Sequence, residues 1–595
     1  MERNDYLIRK KIVKYMLTGV MTTVALQLGN VVDAMIVGNL IGSLGNGAIT
    51  AGTPYVYVLQ AAAILLGSGG AVTMAILLGK RDLENAGRVM GFSMVISILY
   101  PLLFVCLSPV LIPAFLSVCG ASGELLSMIK DMITVYTFGM PVLSFAITMA
   151  YLMNIDNHPT LSAVMHITAN VVNLISDFLL LKLTPLGMKG AALSTVLGYL
   201  VAGLIFIPIY FKSSNRMVKI DFTKIFRGNK YILVTCKNGL PNLVNLIMTV
   251  FSISLINSVV LKSLGDDYFS AYSVINNTQL IVQMFLNGVT SVIASVAGVL
   301  YGEKDFYGMR RVLKRVLGAV AVVCAALMLL FIIAPKLLAK LYGFDNETIM
   351  PELLLGLRVF SLSFLFYAFN AMAQNYYRTI GQTMLSSISI ALQMIVIKIP
   401  LMLLGLKIHG FIGLFVTLIF SEIIAFLILN AVRLILQLAG KVPKKGFMAI
   451  PVKNSGNICD FTISGKDGSA LDVTEKVIAY CREENLPSET ALQLGVAVEE
   501  LILNIEDHGY KDKKSKYIDV CLSKNGDRYY LRLRDDGIPF DPTSYASKEE
   551  HDEDEITGLE LIRKLALKIT YMRVLNLNNT IIEIEKGAIG GKAND

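Results

Sequence analysis

The sequence predicts an all-α polytopic membrane protein, with twelve transmembrane helices in two six-helix repeats, followed by a C-terminal α+β sandwich domain. Three observations predict it. Hydrophobic residues are 54% of the 595 and charged residues only 16%, against about 25% charged in an ordinary soluble domain. The apolar residues gather into long runs that end near Gly440. The polar loops between these runs repeat at a fixed spacing. Such a composition excludes a disordered, fibrous or simple soluble chain. The seven cysteines include no CxxC pair, so neither a disulfide framework nor a zinc site is expected.

A helix crossing the hydrocarbon core needs about 20 mostly apolar residues. Twelve runs meet this, near 13–40, 51–79, 89–116, 128–152, 160–182, 187–211, 231–261, 271–300, 313–341, 353–377, 384–406 and 410–437. A buried soluble helix explains one such run, not twelve in succession. The start, MERNDYLIRKKIVKYM, has no small-residue cleavage site after it, so the first run is expected to be a retained helix rather than a signal peptide. Lys and Arg concentrate before the first run and in the even-numbered loops, such as Lys80, Arg81 and Arg88, or Arg310, Arg311 and Lys314. Basic loops stay on the cytoplasmic side. Both termini are therefore expected in the cytoplasm, with the chain crossing the cell membrane many times. The net charge of +8 reads as a topology signal and not as a nucleic-acid footprint.

Residues 79–89, GKRDLENAGRV, match residues 302–312, GEKDFYGMRRV. The same offset of 223 carries Gly187 and Gly190 onto Gly410 and Gly413. An even number of helices per repeat returns the chain to the same side, so two parallel six-helix halves explain the match. Parallel repeats are a transporter architecture with the substrate site between halves. The expected division is an N-lobe at 1–225, a C-lobe at 226–440, a linker at 441–455 and a cytoplasmic domain at 456–595.

Ionisable groups inside a bilayer are costly and usually functional. Asp33 lies about 30 Å up the first helix and Asp177 about 25 Å up the fifth, at a rise of 1.5 Å per residue. The two carboxyl groups are thus expected at similar depth, with Asn173 one turn from Asp177 on the same face. Removal from water and a second carboxylate nearby both favour a protonated acid. Such a pair suits uptake of H⁺, or of Na⁺ with amide and backbone oxygens. Lys398 and Glu422, in the eleventh and twelfth runs, are expected either to form a structural salt bridge or to tune substrate charge.

This pattern resembles the MATE (multidrug and toxic compound extrusion) family over about residues 10–440. The resemblance is carried by VVDAMIVGNLIG, the GKRD loop and its repeat, NVVNLISD and GMKGAALST. It implies a secondary active exporter of cationic or amphipathic small molecules, driven by H⁺ or Na⁺ antiport through alternating access. In relatives that couple through the N-lobe, the cation site centres on an Asp of the first helix and an Asn-x-x-x-Asp of the fifth. Asp33, Asn173 and Asp177 match those positions. Some relatives also carry a Glu in the seventh helix and an Asp in the tenth. Here those helices offer Asn242, Asn245, Asn257, Asn370 and Gln374, so a C-lobe Na⁺ site is not implied.

Beyond the linker, FTIS, YIDVCLS and RYYLRLR read as strands, the last two joined at Asn525-Gly526 as a hairpin. Residues 469–485 and 489–508 read as helices, with further strands near 569–575 and 580–585. VEELILNIEDHGY sets Glu500, Asn504 and His508 on one helix face, a pattern suited to Mg²⁺ and an activated hydroxyl. Asp535 ends a strand before Asp536-Gly537, where an Asp suits an adenine amino group and Gly permits close approach. Gly558-Leu559 opens a helix, and helix N-termini bind phosphate. Together these resemble the GHKL (Bergerat) ATP-binding fold, most closely anti-sigma-factor serine kinases. The resemblance implies ATP and Mg²⁺ as cofactors, Glu500 as general base, Asn504 as Mg²⁺ ligand and Asp535, Gly537 and Gly558 around the nucleotide. It also implies an anti-anti-sigma-like protein partner. Glu560 stands where that motif usually has a second Gly, which leaves kinase activity and a degenerate ATP-binding role both open. Two other readings of the whole chain stand beside the exporter: a lipid-linked oligosaccharide flippase, and a receptor signalling through the kinase-like domain.

Overall fold

A computed structural model describes residues 6–79, 82–156, 158–214, 216–220, 229–303, 305–440, 458–464, 470–510, 517–525, 528–539, 541, 566, 568–574 and 577–585. The first half is six helices: α1 (Tyr6–Leu40), α2 (Ser43–Gly79), α3 (Leu83–Cys119), α4 (Gly123–Ile155), α5 (Pro159–Leu183) and α6 (Met188–Lys212). The second half repeats them in a more broken form. It comprises α7 (Asn229–Leu264), α8 (Asp266–Val292), α9 (Gly298–Gly302), α10 (Phe306–Ile333), α11 (Pro335–Leu341), α12 (Met350–Ser361), α13 (Phe364–Thr379), α14 (Thr383–Ala391) and α15 (Lys398–Leu438). Single π-helical turns at Ile293–Ala297 and Leu392–Val396 join α8 to α9 and α14 to α15.

The duplication is visible in backbone geometry. Asp82 caps α3 by accepting from the Asn85 amide at 3.2 Å, and Asp305 caps α10 by accepting from the Gly308 amide at 2.9 Å. Their dihedrals nearly coincide, at φ −92°, ψ 74° and φ −82°, ψ 73°. An Asp there satisfies a backbone N–H that the first helical turn leaves unpaired. Gly187 and Gly410 likewise share a conformation, φ 51°, ψ −130° and φ 58°, ψ −137°. Only glycine adopts that region without strain.

Among the described residues, nine helices are long and apolar enough to cross a membrane, ten if the pair α12 and α13, bent by 44°, counts as one span. The twelve expected spans are reached only by two further steps. One adds α1, a 35-residue helix in which Asp33 is the one charged residue after Lys14. The other divides the continuous run Met384–Leu438 at His409 and Gly410, where the backbone leaves helical geometry. Large apolar side chains such as Val110, Leu183, Leu204 and Ile333 remain exposed on the outer helix faces, as a lipid-facing surface requires.

The halves meet at both ends of the bundle. Near the end carrying the N-terminus, a Cβ on Gly69 of α2 would stand 2.2 Å from the Thr235 carbonyl oxygen of α7, and midway along α1 the Thr23 hydroxyl donates to the Met284 carbonyl of α8 at 2.7 Å. Near the other end, the Asn46 amide of α2 donates to the Tyr342 carbonyl at 2.8 Å.

The C-terminal domain is a five-stranded antiparallel sheet of order β1-β2-β3-β5-β4. Its strands are β1 (Ile458–Ser464), β2 (Tyr517–Asn525), β3 (Arg528–Asp535), β4 (Lys568–Val574) and β5 (Leu577–Glu585), with α16 (Ala470–Glu483) and α17 (Ser488–Gly509) against one face. Phe461, Val477, Val498, Ile502, Leu531, Leu533 and Ile582 pack into one core. Leu531 and Leu533 alternate with Arg532 and Arg534, so the arginines lie on the opposite face of the sheet. Replacing the fully buried Leu531 by Ala is expected to destabilise this domain by about 2–5 kcal/mol. Calorimetry of the full chain in detergent checks this, and a loss below about 1 kcal/mol would contradict the core assignment.

Candidate functional site

In the bundle, the structure brings Asp33, Asn173 and Asp177 together. α5 sets Asn173 and Asp177 one turn apart, and both are buried. The Asp33 and Asp177 carboxyl groups face each other within hydrogen-bonding range. One oxygen of Asp177, Oδ1, accepts from the Ser194 hydroxyl. The Asn173 amide donates to the Ser194 and Thr195 hydroxyls, each at 3.2 Å. The Tyr136 hydroxyl donates to Thr195 Oγ1 at 3.2 Å. α6 comes close enough for this because Gly198 lies against α5: a Cβ there would stand 2.4 Å from the Ala169 carbonyl oxygen.

Two oxygens stand apart from that network. Asp33 Oδ1 and Asp177 Oδ2 are buried and have no protein donor. Burying an acceptor without a partner costs on the order of 1–3 kcal/mol, more when it is charged. Two carboxylates in contact away from water cannot both keep their charge unless a proton or a cation stands between them. Such an arrangement can hold one small positive ion.

Ser194, Thr195 and Tyr136 carried no weight in the sequence reading. The first two close the segment GMKGAALST, whose spacing after Asn173-x-x-x-Asp177 is the signal that points to them.

Among the described residues, the second half holds no matching acid pair. Glu422 accepts from the Asn370 amide at 2.9 Å and the Gln393 amide at 2.7 Å. Gln393 lies in the π-helical turn and also accepts from Gln374 at 2.7 Å. Lys398 lines the same cavity as Glu422 but forms no ion pair with it within 4 Å. The expected Lys398–Glu422 salt bridge is corrected accordingly, because neutral amides already satisfy the carboxylate. Asn257 is taken up by the Thr50 carbonyl at 2.8 Å.

In the C-terminal domain, α17 sets Glu500 and Asn504 together, the Asn504 amide donating to Glu500 Oε1 at 3.3 Å. Asp535 is buried at the end of β3. Its Oδ1 accepts from the Gly537 amide at 2.8 Å and from Asn578 at 2.9 Å. Burial pushes Asp535 above the usual carboxylate range, against the lowering effect of those two donors. The C-terminal end of α17 meets this strand end: Ile538 N–H donates to the Gly509 carbonyl at 3.0 Å. A Cβ on Gly537 would lie 2.8 Å from that same carbonyl oxygen. A buried carboxylate beside a bare glycine, with Asn504 about 7.5 Å and Glu500 about 13.5 Å back along the helix from Gly509, fits the adenine and Mg²⁺ ends of a nucleotide. The side chain of His508, together with Gly558 and the rest of the Gly558-Leu559-Glu560-Leu561 motif, lies outside the described residues.

Comparison with known proteins agrees with both parts. The MatE family model matches residues 20–179 and 242–404. A histidine kinase-like ATPase domain matches residues 469–584. Multidrug export protein MepA of Staphylococcus saprophyticus subsp. saprophyticus is 26% identical over 399 residues, covering 65% of this chain and 86% of that protein. MepA of Staphylococcus haemolyticus is 23% identical over 304 residues, and there the match spans 51% of this chain and 66% of the relative. Among solved structures, an inward-facing multidrug resistance MATE family transporter of the MOP superfamily has a TM-score of 0.62 at 18% identity, covering 71% of this chain and 99% of that one. The MATE multidrug transporter DinF-BH has a TM-score of 0.58 at 20% identity, covering 71% of this chain and 94% of that one. With its family model matched over more than half its length, and with the two-lobed bundle that those structures share, this chain belongs to the MatE family of multidrug efflux transporters and carries a histidine kinase-like ATPase domain behind the transporter.

Proposed function

We propose that this chain exports cationic or amphipathic small molecules across the cell membrane by H⁺ or Na⁺ antiport, with both termini in the cytoplasm. The observation that carries this is the contact between Asp33 and Asp177, with an undonated oxygen on each. A proton or Na⁺ held between the carboxyls neutralises them. When that ion leaves, the pair carries negative charge that draws a cationic substrate into the bundle. Ion and substrate therefore exclude each other, and a rocking of the two lobes exposes the site first to one side and then to the other. Ser194 holds Asp177 in place, and Thr195 and Tyr136 orient Asn173.

The tail is proposed to bind ATP rather than to drive transport. Asp535 and Gly537 receive adenine, and Asn504, held by Glu500, is the Mg²⁺ ligand. Bound ATP would supply a transferable phosphoryl group, and by the sequence resemblance Glu500 would be the general base that takes the proton of the accepting hydroxyl. Transfer to the serine of an anti-anti-sigma-like protein rests on the sequence resemblance alone, and regulation of the transporter is the role argued below.

Ion-driven efflux of a lipophilic cation from proteoliposomes tests the bundle site. Asp33→Asn and Asp177→Asn are each expected to lower it about tenfold or more, the equivalent of about 1.4 kcal/mol of lost ion binding. Unchanged ion-coupled efflux in both would overturn the proposal. Ser194→Ala removes a donor from a buried carboxylate, a loss of about 1–3 kcal/mol. It is expected to shift the pH or Na⁺ dependence of efflux, and an unshifted curve would contradict the role given to Ser194. For the tail, labelled ATP with Mg²⁺ is expected to bind the full chain, and Asn504→Ala to weaken binding about tenfold or more. Equal binding by both would remove Asn504 from the site.

A further inference from the structure

The open face of the tail's sheet is charged and yet buried. Arg532 and Arg534 have side-chain exposures of 7% and 3%. Buried charges need partners, and theirs come from the transporter. Arg534 pairs with Glu303, and its Nη1 lies 3.3 Å from Asp305 Oδ2. Arg532 Nη2 lies 3.3 Å from the same Asp305 oxygen. Asn579, which pairs with Arg534 across β3 and β5, donates to Glu303 Oε1. Glu303 and Asp305 belong to the loop between α9 and α10, in the second lobe. The tail also touches the first helix of the first lobe: Lys10 Nζ stands 3.8 Å from Asp536 Oδ2, and Tyr6 stacks on Tyr517 with ring centroids 4.0 Å apart.

The duplication explains why the arginines choose that loop. Its counterpart 223 positions earlier has Lys80 where the second lobe has Glu303, while Asp82 and Asp305 are common to both. A lysine at that position repels the two guanidinium groups, and a glutamate attracts them. One reversed charge makes one of two otherwise similar loops a receptor for the tail.

The docking residues are also interleaved with the nucleotide site. At the end of β3, Arg534 grips the transporter and Asp535 belongs to the proposed nucleotide site, and the next residue, Asp536, faces Lys10. Along β5, Asn578 donates to Asp535 while its neighbour Asn579 donates to Glu303.

We propose that this sheet face is the docking surface for the transporter's own tail-side end. The tail bridges both lobes there, and ATP at Asp535 releases it. The proposal rests on the nucleotide reading given above. Adenine takes the Asp535 carboxylate that Asn578 now holds. Asn578 then moves, and with it Asn579 and the grip on Glu303. Docked, the tail ties α1 to the α9–α10 loop and restrains the lobes from parting at that end. Released, it leaves them free to rock.

The test uses the full chain in nanodiscs with a protease site placed in the linker at 441–455. After cleavage, the fraction of tail that stays with the transporter is measured, with and without ATP and Mg²⁺. The tail is expected to stay bound without nucleotide and to be released by Arg534→Glu. Glu303→Arg added to Arg534→Glu restores the pair with its charges exchanged and is expected to recover retention. That recovery separates a lost contact from a misfolded domain. ATP is expected to raise the dissociation constant of the tail about tenfold, and by reciprocity the undocked Arg534→Glu chain binds ATP tighter by the same factor. Native tail that leaves without nucleotide, or no recovery in the double variant, overturns the docking surface. Measured ATP binding with unchanged retention overturns the coupling while leaving the nucleotide site in place. Absence of any ATP binding overturns the nucleotide reading and the coupling together, while retention alone then reports on docking.

Discussion

Two carboxyl groups pressed together out of water are the constraint on which the transporter part depends. A single buried carboxylate is already unfavourable, and a second at contact distance adds repulsion that only a shared proton or a small cation removes. Asp33 and Asp177 are held in that state by ordinary means. α5 stacks Asn173 one turn from Asp177, Gly198 lets α6 come close, and Ser194 and Thr195 supply hydroxyls that fix the amide and one carboxylate oxygen. One oxygen of each carboxyl, Asp33 Oδ1 and Asp177 Oδ2, is left without a donor.

The two lobes share a construction and differ in their chemistry. Capping at Asp82 and Asp305, and the glycine conformation at Gly187 and Gly410, have survived in both. The acid pair exists in the first lobe alone among the described residues. In the second, Glu422 is satisfied by the amides of Asn370 and Gln393, and Asp177 corresponds to Pro400. Under the proposed coupling, an asymmetric site within a symmetric scaffold would place the ion in one lobe. The loop charges diverge in the same way, with Lys80 in one lobe and Glu303 in the other, and the tail's Arg534 pairs with Glu303.

Much of this was legible in the sequence where the physics is one-dimensional. A charge within an apolar run stands out, so Asp33 and Asp177 were found, and a rise of 1.5 Å per residue placed them at one depth. Strand alternation and helix periodicity located every element of the tail that the structure describes. Hydroxyls inside membrane helices are too common to stand out, so Tyr136, Ser194 and Thr195 were passed over. Lys398 and Glu422 were read either as a salt bridge or as groups that tune substrate charge, and the fold gives the glutamate two amide donors in place of the lysine. The division of the last two runs at 406–410 was read from the sequence, and the backbone leaves helical geometry there, at His409 and Gly410, although the helix continues to Leu438. Contacts between Arg532, Arg534 and the α9–α10 loop join residues more than two hundred positions apart, and no local pattern announces them.

The central statement is that the carboxyl pair gives up its ion when substrate arrives. The direct measurement is the release of H⁺ or Na⁺ into weakly buffered solution as a lipophilic cation is titrated into the purified protein. Release in step with binding, and its disappearance in Asp177→Asn, is the result this account predicts. Saturable binding of the cation by the native protein with neither ion released would contradict it.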